Sequence, residues 1–285
     1  MRFALINEER LEAKPGLRAV CPCCLHAVIA KCGSQRLHHW AHSAQIKCDD
    51  WWEPETEWHR EWKNNYPGGW QETILVDDNT NEKHIADICT DYGLVIEFQH
   101  SHLDPKERIA RESFYQNMVW VVDGMRLKRD RDRFFKKEKS FTSIRKGIFQ
   151  VPKPEECFPQ GWLNSSNPVI FDFGTEEKPK ELWSKKNYWH DKKNYLYCLF
   201  PVRIGGHAIL AEISRTAFIN STHDGEWLMR ADAFMDVLGQ ARDFRDNQVA
   251  KLRQQYAAVT YITVPRSAFV TKRRQPVSFR KRRRF

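Results

Sequence analysis

Between Gln71 and Asp123 short apolar runs alternate with turn signals. QETILVD (71–77), EKHIADICT (82–90) and LVIEFQHS (94–101) read as three strands, parted by a polar turn at Asp78–Asn81 and another at Asp91–Gly93. ERIARESFYQ (Glu107–Gln116) then reads as a helix with Pro105 near its start, and MVWVVD (Met118–Asp123) as a buried strand. Strand, helix and strand in that order predict an α/β core with a right-handed crossover. Upstream, Pro54 followed by good helix formers predicts a helix whose apolar stripe is Trp58 and Trp62. Glu55, His59 and Lys63 then fall at i, i+4 and i+8 on a neighbouring polar stripe. Beyond Pro152, NPVIFDFG, LYCLFPVRI and AILAEISRTAFI are strand-like. Trp227–Val259 reads as a helix with a packing stripe through Leu228, Ala231, Phe234, Val237, Leu238 and Ala241.

Composition changes this picture in two ways. With 41% hydrophobic and 13% aromatic residues over 285 positions, the chain can fill a globular core. It has no apolar run long enough to span a bilayer, and its acidic start is unlike a secretory signal, so the expected location is the cytoplasm, away from membranes. The formal net charge is +9, and all of it resides in the tail. Residues 266–285 carry Arg266, Lys272, Arg273, Arg274, Arg280, Lys281, Arg282, Arg283 and Arg284 with no acid. A polycation of this kind binds phosphate by counterion release, which makes DNA, double- or single-stranded, the expected partner. The charge-dense stretch 126–150 is either more of that surface or a connection.

Five of the eight cysteines precede residue 50, which in a cytoplasmic chain suggests metal rather than disulfides. Cys21 and Cys24 form a C-x-x-C pair, His39 and His42 an H-x-x-H pair, and the stretch between them can fold back as a hairpin about Gly33. These four are the expected ligands of a structural Zn²⁺, with Cys23, Cys32, Cys48 and His38 as substitutes within reach.

Asp87, inside IADIC, and Glu97, in VIEFQ, are carboxylates among apolar strand residues, costly to bury without a partner. A divalent cation, Mg²⁺ or Mn²⁺, is the simplest one, held by Asp87, Glu97 and the Phe98 carbonyl, with Glu55 near it. Such an ion lowers the pKa of a water for in-line attack on a phosphodiester. Gln99 shares a strand face with Glu97 and can orient that water. Glu57 rivals Glu55 for the helical acid, but Glu55 shares its face with His59.

C-P-x-C at Cys21–Cys24, H-W-A-H at His39–His42, Glu55 to Lys63, Ala86–Asp87 and Glu97–Ser101, followed by Arg111, Tyr115 and Trp120, resemble the competence protein CoiA-like nucleases over about residues 15–125. The resemblance implies a PD-(D/E)XK restriction-endonuclease-like core, a central mixed sheet flanked by helices. A zinc-finger-like module precedes that core and an α+β region follows it. It implies DNA processing in uptake, recombination or defence, with a partner protein from such a system. Glu55 looks like the superfamily's helical acid, and Asp87 and Glu97 like its metal-binding pair. Gln99 stands where many members have lysine, leaving Lys63 and His59 to supply positive charge. The expected layout is a module at 1–50, a nuclease core at 51–150, a C-terminal region at 151–265 and a tail at 266–285. An Mg²⁺-dependent deoxyribonuclease is the leading expectation. A non-catalytic DNA-binding or recombinase-loading factor on the same scaffold is the alternative.

Overall fold

The computed structural model describes residues 1–43, 46, 48–78, 80–174 and 195–263. The basic tail and its DNA-binding candidates, Lys272 to Arg284, lie outside the described residues. The chain divides into two compact units, Met1–Arg242 and Asp243–Phe285. The described part of the second, 243–263, is helical.

The first unit opens with five short strands: β1 (Phe3–Ile6), β2 (Glu9–Glu12), β3 (Arg18–Val20), β4 (Ala27–Lys31) and β5 (His39–His42). They form an antiparallel sheet in the order β2-β1-β3-β4-β5. The hairpin expected about Gly33 is β4–β5. Its core is small: Ala4, Ala13, Ala19, Cys21, Val28 and Trp40. Polar bonds fasten this sheet to the rest of the unit. The backbone N–H groups of Arg2 and Phe3 donate to the Glu72 carboxylate at 2.7 and 3.0 Å, and Arg10 reaches the Gln71 carbonyl at 2.7 Å.

There follow α1 (Glu57–Lys63), β6 (Gln71–Val76), β7 (Lys83–Cys89), β8 (Val95–Gln99), α2 (Pro105–Phe114) and β9 (Met118–Asp123). Next come α3 (Lys128–Glu138), β10 (Thr142–Arg145), β11 (Ile148–Val151), β12 (Val169–Asp172), β13 (Tyr195–Ile204), β14 (His207–Ser214), α4 (Arg215–His223) and α5 (Glu226–Thr263). Strands β6 to β14 make one mixed nine-stranded sheet, ordered β10-β11-β14-β13-β12-β9-β8-β7-β6. The meander β6–β7–β8 is antiparallel, and β9 lies parallel to both β8 and β12. The position expected as a domain boundary, 150, falls inside β11, and the sheet runs on through both halves.

Alternation along β9 separates two cores. Val119 and Val121 pack with Trp62, Phe98, Phe218 and Trp227 on one side, while Trp120 and Val122 pack with Tyr115, Phe134 and Phe158 on the other. The α5 stripe contributes Ala231 and Leu238 to the first core, with Leu228 and Phe234 against it, whereas Val237 and Ala241 are exposed. Asp172 ties α1 to the sheet. Its Oδ2 accepts the indole N–H groups of Trp58 and Trp62 at 3.1 and 3.0 Å, and its Oδ1 receives Arg215 at 2.6 Å.

Helix α1 begins later than Pro54 predicts. Thr56 is its N-cap, accepting the His59 N–H on its hydroxyl, and Thr56 N–H donates back to His59 Nδ1 at 3.2 Å. This is a capping box in which histidine takes the place of the usual glutamate. Glu55 therefore lies outside the helix, and the expected i, i+4, i+8 stripe reduces to His59 and Lys63, both buried.

Candidate functional site

Two groups of chemically active side chains contribute to one cavity of about 340 Å³ between the N-terminal sheet and the β6–β8 meander, the first through His42 and Cys48 and the second through Glu55, Lys63, Asp87 and Glu97. The first is a cysteine–histidine cluster. The ligand atoms of Cys21, Cys24, His42 and Cys48 all lie within 4.8 Å of one another. Cys21 and Cys48 sulfurs are 3.8 Å apart, and Cys24 Sγ is 3.1 Å from His42 Nε2. A tetrahedron with Zn–S bonds of 2.3 Å has edges of about 3.8 Å, so the set fits zinc. The fourth member of the cluster is Cys48, not His39. His39 and His42 sit three apart on a strand, where side chains alternate, so they face opposite ways. His39 instead places Nδ1 2.8 Å from the Leu37 carbonyl.

Burial and crowding set the charge state of the cluster. Burial raises the thiol pKa values of Cys21 and Cys48, and in Cys48 the neighbouring sulfurs push the same way. Burial opposes ionisation of Cys24 too, but hydrogen bonds from the His26 backbone and His42 bring it down to about 6. Crowded thiols ionise together only when something positive sits among them, which is how thiolate sites couple to Zn²⁺.

The second group lies at the frayed end of the β7–β8 ladder. Ile88 and Ile96 are the last paired residues in that direction. One step further, Asp87 N–H donates to Glu97 Oε1 at 3.1 Å and Phe98 N–H donates to Asp87 Oδ2 at 2.9 Å. Side-chain carboxylates thus take the places of backbone carbonyls, and the strands part around them. Strand β7 also changes sides here: Ala86 belongs to one core and Ile88 to the other. Asp87 and Glu97 both line the cavity.

Cations reach these carboxylates from both helices. Lys63 Nζ, buried on α1, is 2.7 Å from Asp87, 3.6 Å from Glu55 and 3.9 Å from Glu72. Burial alone would lower its pKa, but the three carboxylates outweigh that and raise it. Arg111, on α2, places Nη1 2.8 Å from Glu97 Oε2 and also pairs with Glu107. Glu97 is buried, and burial together with the charge of Asp87 lifts its pKa to about 7 despite Arg111. Glu72 adopts φ of 47°, a left-handed conformation unusual for glutamate, and the N–H groups of Arg2 and Phe3 hold its carboxylate there.

Residues 6–50 match the family model described as Competence protein CoiA, N-terminal domain. The match contains all four residues of the cysteine–histidine cluster and supports the CoiA family for this part of the chain. No curated protein and no solved structure matches the chain.

Beyond the matched segment, the expected site residues separate into two groups. Glu55, Lys63, Asp87 and Glu97 meet in the cavity. Glu55 keeps one oxygen on Arg60, while its Oε1 is buried without a hydrogen bond. Glu57 is exposed. His59 lines the cavity but is committed elsewhere. Its Nε2 faces two acceptors, Glu53 Oε1 at 2.6 Å and the Phe98 carbonyl at 3.1 Å, so Nε2 carries the proton and Nδ1 accepts from Thr56. The Phe98 carbonyl expected to meet a cation is thus engaged by His59.

Gln99 does not line the cavity; its Nε2 donates to Glu53 at 2.8 Å. Glu53, which sequence reasoning passed over, is the hub of this second group. Burial opposes its ionisation, but hydrogen bonds from His59, Ser101 and the His100 backbone hold it down at about 2. The other residues not anticipated as site members are Glu72 and Arg111. Among the described residues, the cysteine–histidine cluster is the group of metal-type donors gathered into one shell, whereas the carboxylates stand around Lys63. Among the described residues, no helix is long and apolar enough to cross a membrane.

Proposed function

We propose that the chain is a divalent-metal-dependent nuclease that hydrolyses phosphodiester bonds of DNA on a PD-(D/E)XK-type core. One observation carries the reading: Asp87 and Glu97, from neighbouring strands, meet in one cavity beside the buried ammonium of Lys63. The succession α1, β6–β7–β8, α2, β9, with β8 and β9 parallel, supports it. Asp87, Glu97 and Glu55 would hold Mg²⁺ or Mn²⁺, ions that take hard oxygen donors. When bound, the ion supplies Lewis acidity and a water of lowered pKa.

The remaining work falls to the chain. Lys63 offers its ammonium to a phosphate oxygen as charge develops in the transition state. Arg111 keeps Glu97 oriented. Glu53, joined to His59, Gln99 and Ser101, fixes the end of β8 so that Asp87 and Glu97 keep their register. Zinc in the N-terminal cluster holds the module that walls the cavity, and the basic tail adds sequence-independent grip on flanking phosphates. The CoiA N-terminal match points to a competence-related setting, in which a recombination protein is the natural partner.

A second reading is favoured by a specific observation: Lys63 already satisfies Asp87, as a DNA-binding or recombinase-loading scaffold without a metal would require. Incubation of the protein with linear, circular and single-stranded DNA, with Mg²⁺ or EDTA, beside Asp87→Ala and Glu97→Ala, separates the two. Metal-dependent cleavage by the wild type alone supports the nuclease. Shifted but intact DNA in every lane sinks it in favour of the scaffold.

A further inference from the structure

A second cavity, of about 370 Å³, lies beyond the C-terminal end of β8 and carries the opposite charge. The four arginines on its wall are Arg108, Arg126, Arg129 and Arg133, against two acids, Asp123 and Asp130. Both acids are already engaged: Asp123 accepts from Met125 N–H at 2.8 Å and lies 2.7 Å from His100 Nδ1, and Asp130 pairs with Arg133 at 3.2 Å. Arg108 is 4% exposed. Its Nη1 holds Glu112 at 2.6 Å, but its Nε is buried and has no hydrogen-bond partner, and the same is true of Arg133 Nε. A guanidinium kept out of water with an idle N–H is costly unless an acceptor visits it.

The start of α3 adds a second, independent feature. This helix of eleven residues has Leu127 as its N-cap, whose side chain caps none of its first N–H groups, and the Asp130 N–H turns back to the Leu127 carbonyl at 2.8 Å. Leu127, Arg129 and Asp130 all line the cavity, so the positive end of the helix borders the same space as the arginines.

We propose that this cavity binds the phosphate group of a nucleotide. Guanidinium forks beside the positive end of a helix match a tetrahedral oxyanion. The volume accommodates the sugar attached to it. Its position beside the carboxylate cavity adds to the case. His100 and Ser101 line the second cavity, and both bond Glu53, which lines the first. The assignment stands on its own geometry and does not require hydrolysis at Asp87.

Calorimetry on the full chain tests it, with inorganic phosphate, a deoxynucleoside 5′-monophosphate, the phosphate-free nucleoside and a short 5′-phosphorylated oligonucleotide as probes. The Asp87→Asn protein serves as host, so that failure of the nuclease reading leaves the result intact. The monophosphate binds at one equivalent, the nucleoside does not, and Arg129→Gln with Arg133→Gln weakens binding at least tenfold while circular dichroism stays unchanged. Arg282→Gln with Arg283→Gln, in the tail, leaves that affinity where it was. Equal binding of inorganic phosphate and monophosphate assigns the site to phosphate alone, and tighter oligonucleotide binding assigns it to a strand; either supports the site. Nucleoside binding as strong as monophosphate binding, or unchanged affinity in the α3 variant, overturns it.

Discussion

Asp87 and Glu97 lie opposite each other, one step past the last bridged pair of β7 and β8, and each touches the other strand's backbone: Glu97 accepts from Asp87 N–H, and Asp87 accepts from Phe98 N–H. Two acids in that relationship repel, and the repulsion adds to burial in lifting the pKa of Glu97. Burying such a pair is unfavourable unless cations offset it, and Lys63 and Arg111 are those cations.

Asp87→Asn and Glu97→Gln remove charge while keeping shape. In the proposed nuclease each abolishes cleavage by more than the roughly 10–100-fold that loss of an outer partner of a metal costs. DNA retention in a gel shift stays at the wild-type level. Initial cleavage rates at fixed Mg²⁺ measure the effect, and a variant that cuts at the wild-type rate removes these carboxylates from the reaction.

Lys63→Met leaves Asp87, Glu55 and Glu72 without their shared ammonium. The variant is less stable than the wild type in EDTA, because its clustered carboxylates lose the charge that offsets their repulsion. Mg²⁺ then raises its melting temperature by more than it raises that of the wild type, since ligand binding to the folded state adds stability by mass action. Thermal melts across a Mg²⁺ series check this. An equal shift in the two proteins means that the carboxylates do not take the ion.

Much of the core was legible because its signals are periodic. The strands of the meander, α2 and β9 come out of apolar alternation within a few residues of their observed ends, and Asp87 and Glu97 stood out as acids among Ile, Ala and Val. What escaped was set by conformation or by distant partners. His39 and His42 look like a ligand pair in one dimension, but the strand pleat turns them apart, and Cys48 enters from beyond β5. Thr56 takes the cap that Pro54 signalled two residues earlier. Glu53 gains its role from His59, Gln99 and Ser101, and Glu72 from a left-handed backbone that no residue type announces. The charge-dense stretch after Arg126 turned out to hold α3, whose Phe134 anchors one of the two cores.

The cysteine–histidine cluster makes a substitution prediction that separates neighbours. Cys24→Ser, His42→Ala and Cys48→Ser each lower bound zinc well below one equivalent, and His39→Ala retains it. Metal analysis of purified variants reads this directly. Zinc lost from His39→Ala and kept in Cys48→Ser would reverse the assignment. Because the module buries so little apolar surface, EDTA also lowers the melting temperature of the wild type.

Asp172 is 3% exposed and receives two indole N–H groups, a guanidinium and the Gly174 N–H. Asp172→Ala leaves all four donors without that acceptor and costs about 3–5 kcal/mol, the range for breaking a buried pair from one side. Asp172→Asn keeps an acceptor and costs less. Urea unfolding midpoints give the order, and an alanine variant as stable as the wild type shows that Trp58 and Trp62 position α1 by packing alone.

Glu112 gives the pH dependence. Burial raises its pKa, but Ser165, Arg108 and the Ser166 backbone outweigh burial, so its folded value lies below the ordinary carboxylate range. Trp120 Nε1 adds a further bond at 3.1 Å. A depressed folded pKa contributes stability that is complete above the unfolded value, about 4.3, and is lost as pH falls through the folded value. Glu112→Gln cannot titrate. The stability gap between wild type and Glu112→Gln is therefore constant from neutral pH down to about 5 and shrinks below about 4. Urea midpoints of both proteins at intervals down to pH 3 measure it. A gap that holds its full size at pH 3 places the charge of Glu112 outside the balance that keeps α2 on β9.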